Sequence, residues 1–261
     1  MIVCTLASSS SGNCTIVSHG STHLLIDAGI SLKLIREGMR SLGLSPDDLT
    51  GVLVTHDHSD HISGIKALVK YHKTPVFSSH GTGFEIQRKT PEAEPFVNCF
   101  EIGVAFDLGD ISVRSFRTSH SAQESVGFRL TAGDRTLTYV TDLGIVTDEV
   151  MGAASGSDIA IIESNHDRDM LKSGSYPPFL KRWILSKQGH LSNAESGEFA
   201  VELAMSGTRY LQLAHLSREN NTPGLARKTV EDALIARGIA VGSDVYLDIA
   251  PPSIPGRVYV V

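Results

Sequence analysis

The stretch from Leu53 to Gly64 reads LVTHDHSDHISG, and His56, Asp57, His58, Asp60 and His61 crowd titratable side chains into it behind an apolar run. Imidazole nitrogen and carboxylate oxygen are ligand types that divalent transition metals accept. A lone histidine is most often structural, but His-x-His-x-Asp-His after a strand offers four such ligands from one loop. His56 and His58 lie two apart, so on extended chain they face the same side. Asp57 lies between them on the opposite side and is expected to brace or cap the loop rather than bind metal. One loop cannot complete two ions, so further ligands should close other strands. His120 in RSFRTSHS, Asp142 in LTYVTDLG and His215 in YLQLAHLS each follow an apolar run in this way.

These residues need a frame of strands. MIVCTLA, CTIVSHG, HLLIDAG, GVLVTH, TPVFSS and ISVRSFR are short apolar runs that read as strands,. SVGFRLTAGDRTLTYVTD reads as a hairpin that turns at Ala132-Gly133-Asp134,. Helical spacing of apolar residues predicts helices over 31–42 and 62–71. In the second half SDIAIIES and YLQLAHLS read as strands, with SDVYLDIA and GRVYVV closing the chain, and helices are expected over 178–187, 193–205 and 223–237,. Strands and helices alternate in both halves, which indicates an α/β protein whose sheets are covered by helices.

Composition narrows the function classes. The chain has 261 residues, 41% of them hydrophobic, enough for a full core,. No run reaches the roughly 18–20 apolar residues a membrane helix requires, and the N-terminal residues lack the pattern of a signal peptide, so a cytoplasmic protein without a membrane partner is expected. Cys4, Cys14 and Cys99 form no CxxC pair and suggest buried thiols,. A net charge of −6 argues against binding DNA through a generally basic surface,. It leaves room for a nuclease whose bound cations supply positive charge locally. Nothing in the sequence calls for an obligate protein partner.

With LLIDAG, THDHSDH, His120, Asp142 and His215 in this order, the sequence resembles the metallo-β-lactamase superfamily over nearly its whole length. The resemblance implies one domain over residues 1–261, with the four-layer αββα sandwich and two divalent metal ions at one edge. It also implies that His56, His58 and His120 hold one ion, that Asp60, His61 and His215 hold the other, and that Asp142 bridges them while Asp27 braces the metal loop. Two such ions suit hydrolysis, because they activate water and offset charge on both the attacking and the leaving oxygen. The mixed donor set suits zinc best and also admits manganese or iron.

The motifs also separate branches of the superfamily. His215 stands in AHLSREN, a small polar residue and an arginine following it, as in the phosphodiesterase and nuclease branch. GHLSNAE, residues 189–195, is similar to the motif whose histidine serves as proton donor in transfer RNA 3′-processing endonucleases, which implies that His190 protonates the leaving oxygen,. The short stretches from His120 to Asp142 and from Asp142 to His215 leave no room for the arm of those enzymes or for the inserted domain of the β-CASP nucleases. The remaining likeness is to the YycJ (WalJ, VicX) group of bacterial metallo-hydrolases, through SSSSGNC, the run from Ile162 to Glu195 and HLSRENNTP. That group is associated with 5′-to-3′ exonuclease action on double-stranded DNA, so DNA is the expected substrate, with Asp60, Asp142 and His190 as the catalytic residues.

Independently of the resemblance, Arg168, Lys172, Lys181, Arg182 and Lys187 outnumber Asp167 and Asp169 between Ser164 and His190, in a chain that is acidic overall. Arg168, Lys172 and Arg218 are therefore candidate phosphate contacts, and Tyr176 a candidate for stacking on a base. Glu163, Asn165 and His166 follow a strand on the same edge, where they either support the site or bond within the loop. SSSSGN could offer N–H groups or hydroxyls to a phosphate but lacks the Gly-Lys-Ser/Thr of a P-loop. The rival readings are a small-molecule hydrolase on the same site, a cyclic phosphodiesterase or thioesterase, and a non-catalytic regulatory protein with a structural metal.

Overall fold

The structure, a computed structural model, describes residues 1–261. Its first half runs through β1 (Ile2–Ala7), β2 (Cys14–His19), β3 (Thr22–Ile26), α1 (Leu32–Arg40), β4 (Gly51–Leu53), α2 (Ser59–Ile62), α3 (Ile65–His72), β5 (Val76–Ser78), α4 (His80–Lys89) and β6 (Val97–Cys99). The second half contains β7 (Ala105–Leu108), β8 (Ile111–Arg117), β9 (Val126–Ala132), β10 (Arg135–Val140), α5 (Asp148–Ala154), β11 (Ile159–Glu163), α6 (Arg168–Ser173) and α7 (Pro178–Ile184). It closes with α8 (Asn193–Met205), β12 (Tyr210–Ala214), α9 (Pro223–Ala236), β13 (Tyr246–Ile249) and β14 (Val258–Val260). None of the helices is long and apolar enough to cross a membrane.

Two seven-stranded mixed sheets result, in the orders β14-β1-β2-β3-β4-β5-β6 and β13-β12-β11-β10-β9-β8-β7. In each, an antiparallel part built from hairpins passes into a parallel part: β3 to β6 in the first sheet, β10 to β13 in the second. The period of two along each strand sorts the apolar side chains into layers. Leu24, Ile26, Ile159 and Ile161 enter the core between the sheets with Phe128, Leu137 and Tyr139. Leu25 faces a core completed by Ile35, Met39, Leu68 and Ile86 of α1, α3 and α4. Ala160 and Ile162 face Val150, Phe199, Val230 and Leu234 of α5, α8 and α9. The molecule is thus an αββα sandwich. Because β4 and β11 are buried on both faces, they read as unbroken apolar runs rather than alternating ones.

Several boundaries differ from the sequence-based expectation. The helix expected over 62–71 is divided at Ser63-Gly64 into α2 and α3, where the Gly64 N–H donates to Ala28 O. The helix expected over 178–187 stops at Ile184, since residues 185–190 form a tight return with Ser186 N–H bonded to Trp183 O and His190 N–H to Ile184 O. The helix α4 has no sequence expectation to match. Its glycines Gly81 and Gly83 weaken the helical pattern, and the Ser79 hydroxyl caps its first turn,.

Candidate metal centre

Parallel strands deliver their carboxyl ends to one edge, and ligands in α/β sheets gather there. Asp27 follows β3, Thr55 and His56 follow β4, Asp142 follows β10, Glu163 ends β11 and His215 follows β12. Asp27, Asp142 and His215 all take left-handed backbone, with φ of 60°, 58° and 56°. That conformation costs a non-glycine residue free energy and concentrates at functional sites. Here it turns each side chain off the strand end and in toward the same point. Asp60 and His61 come from α2, which lies so close to the Ala28-Gly29 turn that a Cβ on Gly29 would sit 1.6 Å from Asp60 O.

The seven residues expected as ligands meet in one cluster. His56, His58 and His120 place ring nitrogens within reach of one point, and Asp60, His61 and His215 do so at a second. Asp142 lies between them, its Oδ1 3.7 Å from His120 Nε2 and its Oδ2 3.4 Å from His61 Nε2. His215 Nε2 is 3.5 Å from Asp60 Oδ2. Four of the imidazoles are held through Nδ1: His56 by Thr55 Oγ1 at 3.0 Å, His61 by Asp27 Oδ2 at 2.7 Å, His120 by Gly189 O at 3.2 Å and His215 by Glu163 Oε1 at 2.8 Å. Such anchoring fixes the tautomer and leaves Nε2 to a metal. His56 Nε2, His215 Nε2 and Asp142 Oδ2 are buried without any hydrogen-bond partner. Unpartnered buried polar atoms are costly, and here one lies in each donor group and one between them, which fits a site for divalent cations.

The electrostatics agree with that fit. Burial drives His56 well below the ordinary histidine pKa, with help from the neighbouring imidazoles, and lowers His120 to about 4. Burial would also lower His61 and His215, but surrounding carboxylates outweigh it: Asp27, Asp142 and Asp60 hold His61 well above the ordinary value, and Asp142, Asp60 and Glu163 raise His215 to about 10. Asp60, despite its burial, is held below the usual carboxylate range by His61 and His215. The site therefore has an excess of buried negative charge, the condition in which cations displace protons from their ligands.

Three residues, Glu163, Asn13 and Ser8, support the cluster in ways that the sequence left open or read differently. Glu163 is fully buried, and its carboxylate accepts from Asp142 N, Leu143 N, Leu191 N, His190 Nδ1 and His215 Nδ1. The sequence left its role open between support and loop bonding, since nothing local reveals that β11 ends beneath both histidines. Asn13 and Ser8 of SSSSGN are buried under the centre instead of facing a phosphate: Asn13 Nδ2 lies 3.3 Å from Asp60 Oδ2, and Ser8 Oγ accepts the His215 N–H at 2.8 Å. Asp57 points away from the cluster and pairs with Lys89 of α4. Asn165 Nδ2 donates to His215 O at 2.9 Å.

Of the proposed proton donor and substrate contacts, His190 alone lies in the cluster. Its Nδ1 is 2.8 Å from Glu163 Oε1 and 3.8 Å from Asp142 Oδ1, and its side chain remains 11% exposed. The Arg168 guanidinium is engaged by Glu195 at 2.7 Å. Lys172 is exposed at the end of α6, Tyr176 is half-buried in the loop before α7, and Arg218 is exposed just beyond His215.

The beta-lactamase superfamily domain model matches residues 22–215, from the start of β3 to His215. The chain is 35% identical over 256 residues to a Bacillus anthracis protein named exodeoxyribonuclease YycJ, covering 97% of this chain and 96% of the relative. It is also 35% identical to exodeoxyribonuclease WalJ of Streptococcus pneumoniae, covering 92% and 90%. In fold it is similar to the metallo-β-lactamase fold protein YhfI of Bacillus subtilis, with a TM-score of 0.73 at 18% identity over 98% of this chain and 99% of that one. A matching family model, near-complete likeness to these relatives and a cluster suited to divalent metals lead to one conclusion: the chain belongs to the metallo-β-lactamase superfamily, within its YycJ/WalJ group, and is a metal-dependent hydrolase.

Proposed function

We propose that this protein is a dinuclear metal-dependent nuclease that removes nucleotides 5′-to-3′ from double-stranded DNA. The observation that carries the reading is His190, a partly exposed imidazole held by the same Glu163 carboxylate that holds His215. A site that only stores or structurally binds metal has no use for such a group. Near-full-length likeness to relatives named exodeoxyribonucleases supports DNA as the substrate.

In this reading His56, His58 and His120 would hold one ion and Asp60, His61 and His215 the other, with Asp142 placed between the two groups, and zinc would suit the donors best, ahead of manganese or iron,. Two bound divalent ions would supply an activated water and neutralise charge developing on the phosphate. Asp60 and Asp142 keep the site negative enough to retain the cations. His190, with Nδ1 turned to Glu163, presents Nε2 to the leaving oxygen and delivers a proton to it. Lys172 and Arg218 contact phosphates beside the centre, Arg168 does so after release from Glu195, and Tyr176 borders the strand,.

The test compares His190→Ala with the native protein on 5′-phosphorylated duplex DNA, single-stranded DNA, RNA and bis(p-nitrophenyl) phosphate, each with zinc or manganese. The native protein is expected to release mononucleotides from the duplex. The variant should lose about 10²- to 10⁴-fold on DNA, the usual contribution of a general acid. It should stay close to native on the p-nitrophenyl ester, whose leaving group needs no proton. A native protein inactive on every DNA form but active on the small ester would sink the DNA reading in favour of a small-molecule phosphodiesterase.

A further inference from the structure

The chain contains a single tryptophan, and it lies beside the metal centre. The Trp183 ring meets His190 edge-on, centroids 5.4 Å apart, and lies 6.0 Å from His120. Four residues earlier on the same helix, and so on the same face one turn away, Phe179 is 67% exposed. An exposed phenylalanine next to a half-buried tryptophan is not explained by the core. No core cluster includes either ring, and neither has a role in the chemistry already assigned. The α7 helix is also firmly tied to the site. The His190 N–H donates to Ile184 O, and the return is so tight that a Cβ on Gly189 would lie 2.2 Å from the same oxygen. The Lys181 ammonium ties the other side by donating to Lys172 O and Gly174 O, both at 2.7 Å. Whatever rests on α7 is therefore held at a fixed distance from His190. Arg182, exposed and three residues beyond Phe179 on the same helix, sets positive charge beside the aromatic face in a chain of net charge −6,.

Aromatic faces flanked by cations are the surface on which unpaired nucleobases stack while phosphates follow the charge. On the reading of the site as a nuclease centre, we propose that Trp183 and Phe179 form a stacking track for the bases of the strand being cut. Trp183 takes the base nearest the scissile phosphate and Phe179 the next one out. Tyr176, the residue the sequence suggested for stacking, precedes this helix and borders the track. A duplex end must then fray before its strand can lie on α7, so the track makes the enzyme sensitive to how easily the terminal pairs open.

Because the tryptophan is unique, its fluorescence reports this contact directly. Cleavage-resistant phosphorothioate strands of equal length, one carrying bases and one abasic, are titrated into the native protein and into Phe179→Ala. The base-carrying strand is expected to quench Trp183 strongly and the abasic strand, of the same charge, to bind without quenching. Phe179→Ala should weaken the base-carrying strand roughly five- to hundredfold, the range for losing one stacked base, while leaving the abasic strand unchanged. Equal affinity and equal quenching by both strands, or an unaltered affinity in Phe179→Ala, overturns the track while leaving the nuclease reading intact. A native protein that binds neither strand overturns the nuclease reading, and the track with it.

Discussion

Asp27 and Glu163 occupy matching places in the two halves of the molecule: each is a fully buried carboxylate at the carboxyl end of a parallel strand, and each holds a histidine proposed as a ligand. They differ in what else they hold. Asp27 accepts from Thr55 N and Thr55 Oγ1 besides His61, so it fixes one loop and nothing beyond it. Glu163 accepts from the backbone of Asp142, Leu143 and Leu191 and from both His215 and His190. The first half of the chain gathers four of the proposed ligands on one loop. In the second half two of the proposed ligands, Asp142 and His215, are joined, through one carboxylate, to the group proposed to move a proton.

The largest expected effect tests the residue on which both halves depend. Asp142→Asn should reduce hydrolysis of every substrate by on the order of 10³-fold, since charge stabilisation at a reacting centre is commonly the largest single contribution. A loss below tenfold would remove Asp142 from the shared position. The next pair of variants separates the two carboxylates. Both Asp27→Asn and Glu163→Gln should cost about 10- to 100-fold in activity at limiting metal, as supports of metal ligands do. At saturating metal Asp27→Asn should recover most of kcat, whereas Glu163→Gln should not, because His190 would remain misplaced. Equal recovery would erase the distinction between the halves. The smallest effect is expected from Ser8→Ala, which removes the acceptor for the His215 N–H and should lower stability in urea by about 1 kcal/mol, the usual net value of one hydrogen bond. A change in kcat larger than the change in stability implies would give Ser8 a more direct part in the chemistry.

The same contrast explains what the sequence made legible. The contribution of the first half is contiguous: His56, His58, Asp60 and His61 fall within one loop, and their spacing alone suggested a metal. His120, Asp142 and His215 are scattered, and each became informative only as the end of an apolar run beside the others. Glu163 looked like an ordinary strand end, because its five partners come from three separate segments: the β10-β11-β12 order brings in Asp142, Leu143 and His215, and the return before α8 brings in His190 and Leu191. Asn13 and Ser8 stand in a serine-rich turn whose composition suggested contact with phosphate, yet both are buried against Asp60 and His215, while Ser10 and Ser11 of the same turn are exposed. For the basic segment, composition identified the charge but not its use: Arg168 is engaged by Glu195 and Lys181 by backbone carbonyls. Trp183, which the sequence did not mark at all, packs against His190 and His120 from that segment.

The claim underlying the whole account is that the two halves together complete a centre for two ions. Native mass spectrometry of the purified protein equilibrated with zinc counts them directly. The account predicts two zinc ions per native chain and no more than one in Asp142→Asn. A single ion in the native chain, or two in both proteins, would contradict it.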